Sequence, residues 1–91
     1  MNYVVLRSFL KKFDDYGQAD QEKITETLEK IRNYLETNNA GLGLRIKKLS
    51  SKIYEARINI HLRIAYFQED KTVKFFCLGN HDDIAKCLKH P

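Results

Sequence analysis

Ninety-one residues are too few to divide into two separate cores, so the chain reads as one domain spanning 1–91. Its 43 % hydrophobic and 31 % charged residues are the mix of an ordinary folded domain, and no apolar run approaches the ~20 residues that cross a bilayer; disorder and a helical membrane span are excluded as readings, and no membrane partner is expected, although a basic face by itself attracts nucleic acid and membranes alike. The net charge of +4 favours anionic partners and conceals a split: Asp14 to Glu36 holds seven acids against three bases, whereas Arg45 to Arg63 holds six bases against Glu55 alone.

Met1 to Leu6 lacks the long apolar core of a secretory signal, so a cytoplasmic location is expected. In that reducing compartment Cys77 and Cys87, which form no CxxC pair and have no companions, are expected as free thiols filling core space.

Tyr3-Val4-Val5-Leu6 is β-branched and aromatic and predicts a first strand. Ser8 then caps a helix of about two turns with Phe9, Phe13 and Tyr16 on one face, and Gly17 stops it. Asp20 caps a second helix whose Ile24, Leu28, Ile31 and Leu35 recur at helical spacing, while Gln21, Glu22, Glu26, Glu29, Lys30 and Arg32 face water. Such a stripe beside a sheet is expected to cover it. The small-polar and glycine segment 37–43 is the candidate hinge.

Leu44 to Leu49 begins a strand that Ser50 and Ser51 interrupt. From Tyr54 to Tyr66 every even position is apolar, while Glu55, Arg57, Asn59, His61 and Arg63 hold odd ones. A single strand of that length far exceeds the usual ~5–6 residues, so a hairpin turn is expected near Asn59 to His61, with the charged odd positions sharing a face. Gln68 to Lys71 is a polar turn and Thr72 to Leu78 a last, largely apolar strand. Asp82 and Asp83 open a closing helix with Ile84 and Leu88 on one face and Lys86, Lys89 and His90 near its end; Pro91 cannot extend it. The predicted fold is α+β: an N-terminal strand, two helices, a four-stranded antiparallel meander and a short C-terminal helix, with the helices on one face.

Metal-free RNA cleavage needs a base for the 2′-hydroxyl proton, an acid for the 5′-leaving oxygen and cations for the phosphoryl oxygens. His81, at the carboxyl edge of the last strand, Glu55 or His61, and Arg57 with Arg63 supply those three types. No HExxH, paired metal carboxylates or phosphate-cradling glycine loop is present, so neither a metal nor a small-molecule cofactor is expected. Each residue also has a plainer reading. Arg63, in an otherwise apolar strand, suits a structural ion pair with Glu55; His81 beside Asp82 and Asp83 suits a helix start; His61 suits an exposed turn. Lys47, Lys48 and Lys52 are solvated positions that add unspecific attraction for RNA.

The segment Lys48-Leu49-Ser50-Ser51-Lys52-Ile53-Tyr54-Glu55-Ala56-Arg57-Ile58, followed by Leu62-Arg63-Ile64-Ala65-Tyr66, resembles the "L…lYelRi…yRivY" core of the RelE/ParE toxin superfamily. The tail Leu78-Gly79-Asn80-His81-Asp82-Asp83-Ile84 is similar to its histidine-bearing members, including the YafQ type. The resemblance implies a RelE-like fold and the toxin of a bacterial toxin-antitoxin pair: a metal-independent endoribonuclease that inhibits translation by cleaving messenger RNA, often on the ribosome, and that binds a cognate antitoxin. By that likeness Arg63 contacts the scissile phosphate, Arg57 is a basic position of the preceding strand, and His81 acts in proton transfer or charge stabilisation. The chain departs from the pattern at Glu55, where the best-known member has lysine, at His61, where YafQ-type members have aspartate, and at Ala85, where they have an aromatic, so the general base stays open. Two further functions fit the same motif: a ParE-like inhibitor of DNA gyrase, which needs no His81, and a degenerate toxin that only binds its antitoxin.

Overall fold

Alternation along 54–66 and the apolar stripe of the second helix meet in one core. The computed structural model describes residues 1–39 and 43–89, as β1 (Asn2–Val5), α1 (Arg7–Asp14), α2 (Gln18–Thr37), β2 (Arg45–Lys48), β3 (Ile53–Asn59), β4 (Leu62–Glu69), β5 (Thr72–Gly79) and α3 (His81–Lys89). The middle of the predicted hinge, Ala40 to Leu42, and the terminal His90 and Pro91 lie outside the described residues. The strands form one sheet in the order β1-β5-β4-β3-β2; β2 to β5 are the expected antiparallel meander, and β1 closes the edge parallel to β5.

Pleating assigns the faces. Ala56, Ile64, Tyr66, Val73 and Phe75 pack under Ile24 and Ile31 of α2 and Phe9 of α1, all essentially inaccessible to water. Leu28 and Leu35 complete the α2 stripe half-buried. The Tyr66 ring stacks on Tyr54 at 5.5 Å between centroids and tilts against Phe75 at 5.8 Å.

Odd-numbered β4 residues look the other way, and α3 lies on that side, with Ile84 buried against Ala65 and Cys77. The helices therefore divide between the two faces, against the expectation of one. Ala65 and Cys77 are small, and the shallow floor they leave admits a helix that turns back directly from β5. Cys77 and Cys87 are likewise not free thiols: a disulfide joins them. Cys77 faces α3, Cys87 lies one turn beyond Ile84, and their Cα atoms are 6.4 Å apart, within disulfide reach.

The predicted hairpin forms, with the His61 N–H donating to Asn59 Oδ1 at 2.8 Å and a bulge between Arg57 and Asn59. Two cap assignments move. Ser8 lies inside α1, which starts from Leu6, and its hydroxyl donates to the Phe76 carbonyl at 3.3 Å. Gly17 is the N-cap of α2 in extended conformation, and Asp20 falls within the first turn. No helix among the described residues is long and apolar enough to cross a membrane.

The Tyr3 hydroxyl ties the edge strand to α2 by donating to Glu36 Oε1 at 2.8 Å. Burial and then the Glu36 carboxylate push this phenol up from 10.0 to about 12. The unfolded chain ionises first, so the Tyr3 contribution is whole below pH 10.0 and is lost as pH rises through about 12. Over that interval the melting temperature of the wild type should fall more steeply than that of Tyr3→Phe, as thermal unfolding across alkaline pH will test.

Candidate functional site

Strand register converts a basic composition into geometry. Arg45 on β2 pairs with Arg57 on β3, and Arg57 pairs with Arg63 on β4. Three guanidinium side chains thus stand in a row across three adjacent strands, roughly 5 Å from strand to strand, on the face away from α2. One step along, Lys47 pairs with Glu55, and Glu55 with Ala65. Arg45, Ile46, Lys47, Glu55, Arg57 and Arg63 line a depression of about 300 Å³.

Glu55 is only 6 % exposed, and its neighbour Ala65 offers it no polar group. Its partner is the diagonal residue Arg63, whose Nη1 donates to Glu55 Oε1 at 2.9 Å. Arg63 Nε is buried without a hydrogen-bond partner among the described residues. The guanidinium is therefore held at one edge while a buried donor stays unspent. Arg45, Lys47 and Arg57 make no side-chain hydrogen bond or ion pair among the described residues. Like charges opposite one another on neighbouring strands repel, and four cations against one carboxylate leave this depression with an excess of positive charge.

β2 and β4 begin, and β3 and β5 end, at the same end of the sheet. The arginine row, the hairpin turn carrying His61 and the start of α3 therefore share that end. Gly79, the last residue of β5, pairs with Arg63. Asn80 follows as the N-cap of α3 in a reciprocal pair: the Asp83 N–H donates to Asn80 Oδ1 and the Asn80 N–H to Asp83 Oδ2, both at 2.9 Å. A side chain at Gly79 would run into the Asp83 carboxylate. His81 is the first residue of the helix, exposed, and forms no hydrogen bond or ion pair among the described residues. It does not line the depression, and it stands two residues beyond the partner of Arg63.

Over 89 % of its length the chain is similar to a solved structure, the YoeB/ParE toxin from Agrobacterium tumefaciens, 99 % of which is covered, with a TM-score of 0.61 and 21 % identity. Its fold is RelE-like. No protein-family model matches the sequence, and no curated protein matches it.

On this RelE-like fold the remaining predicted residues part company. Lys47 joins Glu55, Arg57 and Arg63, whereas Lys48 is exposed and pairs with Tyr54, on the opposite parity of β2. Lys52 lies in the turn between β2 and β3, at the far end of the sheet, in a 3.0 Å ion pair with Glu69. His61 is an exposed turn residue. Arg45 is the member of the row that motif reading passed over; its signal was the alternation Arg45-Ile46-Lys47, which puts it on the same face as Lys47.

Proposed function

We propose that the chain is the toxin of a toxin-antitoxin pair, an endoribonuclease that cleaves messenger RNA on the ribosome and so stops translation. The observation that carries this reading is the Arg45-Arg57-Arg63 row at one end of a RelE-like sheet, with Arg63 held by the buried Glu55, followed by an exposed His81 that forms no hydrogen bond or ion pair among the described residues. Phosphodiester transfer from the 2′-hydroxyl places added negative charge on the phosphoryl oxygens, and guanidinium groups that cannot deprotonate suit that charge through paired N–H donors. Arg63 meets the scissile phosphate with the part of its guanidinium that stays exposed; Arg57 and Arg45 hold the adjoining backbone, and Lys47 adds to the field. His81 transfers the proton at the leaving oxygen. Glu55, whose carboxylate is engaged by Arg63, orients that guanidinium. A cognate antitoxin with an acidic segment neutralises the same cations.

The test is tightly repressed expression of wild type and His81→Ala in a bacterium, with 5′ ends of a translated reporter message mapped soon after induction. New 5′ ends with wild type that vanish with His81→Ala are expected. Growth arrest without new ends would replace the nuclease by an inhibitor of another target such as DNA gyrase, and the absence of arrest would mark a toxin that only binds its antitoxin.

A further inference from the structure

We propose that Cys77 and Cys87 form a thiol–disulfide exchange site, opened by a dithiol reductant, that sets how firmly the C-terminal turns of α3 are held to the sheet. The proposal stands apart from the nuclease reading. The disulfide lines a depression of about 260 Å³ beside α1 and α3, together with Ser8, Lys12, Asp83 and Lys86. Cys77 is 4 % exposed whereas Cys87 is half-buried, so an incoming thiolate meets the Cys87 sulfur first. Lys12 and Lys86 in the same depression draw in that anion and favour the thiolate that departs.

The exchange balances in two steps. The thiolate of the dithiol attacks Cys87 Sγ; a mixed disulfide forms, the protein S–S bond breaks, and Cys77 leaves as a thiolate and takes a proton. The second thiol of the reductant then attacks the mixed disulfide, releasing Cys87 as a thiol. The protein gains two electrons and two protons, and the reductant becomes a disulfide.

The consequence follows from how little else holds this helix. Ile84 is its one buried side chain among the described residues, and the Asn80–Asp83 cap and the 4.0 Å contact of Lys12 with Asp83 all fall in its first turn. Leu88 is 37 % exposed. Beyond Ile84 the disulfide is the anchor, so reduction releases residues 85–89 while the cap keeps the start of the helix.

Wild-type protein prepared without reductant is denatured and labelled with a maleimide before and after a native incubation with dithiothreitol, and hydrogen exchange is followed in both states. No free thiol before and two after are expected, with amides of 85–89 exchanging about tenfold faster or more on reduction while β3 and β4 keep their protection. Cys87→Ser, at the half-buried position, should show the same fast exchange in 85–89 without reductant, with one free thiol. A disulfide that survives excess dithiothreitol in the native protein, two free thiols before reduction, unchanged exchange in α3, or loss of protection in β3 and β4 would each overturn the proposal.

Discussion

Replacing Arg63 by alanine should abolish RNA cleavage and lower folding stability by about 3 kcal/mol, two losses with one origin. Glu55 is 6 % exposed and its carboxylate rests on Arg63 Nη1 at 2.9 Å. Without the guanidinium the carboxylate stays in a site that water barely reaches, and an uncompensated buried charge costs several times what a surface pair gains. Arg63 itself keeps 20 % of its side-chain surface, so the loss falls at the low end of the range for buried pairs. Denaturant unfolding of Arg63→Ala, Glu55→Gln and the double variant measures the coupling. Glu55→Gln removes the charge but keeps the shape, so in the Arg63→Ala background it should restore about 1 kcal/mol or more. Additive losses would mean that the pair is not coupled. Cleavage by Glu55→Gln separates the two roles of this carboxylate. A residue that only orients Arg63 lowers the rate without changing its dependence on pH, whereas loss of the acidic limb of the pH–rate profile in Glu55→Gln would make Glu55 the general base.

The faces of the sheet were legible because period-2 alternation is a local property. Glu55, Arg57 and Arg63 share a face as their odd positions imply, up to the bulge that sets Asn59 opposite Leu62, and Ile24 and Ile31 mark the buried side of α2 by helical spacing alone. Register is not local. Arg45 joins the arginine row because β2 pairs with β3 so that Arg45 meets Arg57, and nothing within the Arg45-Ile46-Lys47-Lys48 segment sets that pairing. The caps moved for a tertiary reason too. The Leu6 N–H donates to the Phe75 carbonyl at 3.0 Å, which carries edge pairing up to the start of α1 and leaves Ser8 inside the helix. The disulfide was illegible because two cysteines ten residues apart meet only once α3 has folded back across β5. His81 was found by its place after the last strand, while its relation to the arginines depends on the pairing of Gly79 with Arg63.

That pairing makes Gly79→Ala the most damaging single-methyl change expected at the site. The new Cβ would run into the Asp83 carboxylate, which accepts the Asn80 N–H, while Asn80 in turn accepts the Asp83 N–H. Moving the Asp83 side chain aside breaks the bond it accepts from the Asn80 N–H and withdraws a negative charge from the helix N-terminus, a loss of about 1 kcal/mol. His81 adjoins Asn80, so its imidazole moves with the cap, and a displacement of ~1 Å in a proton-transfer group can cost about 10² in rate. Asp83→Gly provides the control, because it gives up the side-chain cap bond but removes the Cβ as well as the carboxylate that an alanine at 79 would meet. Gly79→Ala should therefore destabilise the wild type by about 1 kcal/mol or more and the Asp83→Gly protein by much less. Equal losses in the two backgrounds, measured by denaturant unfolding, would show that Gly79 is required by some contact other than Asp83. If the losses differ and cleavage falls with them, the cap is what holds His81 beside the arginine row, and a structural element that never touches RNA controls the rate.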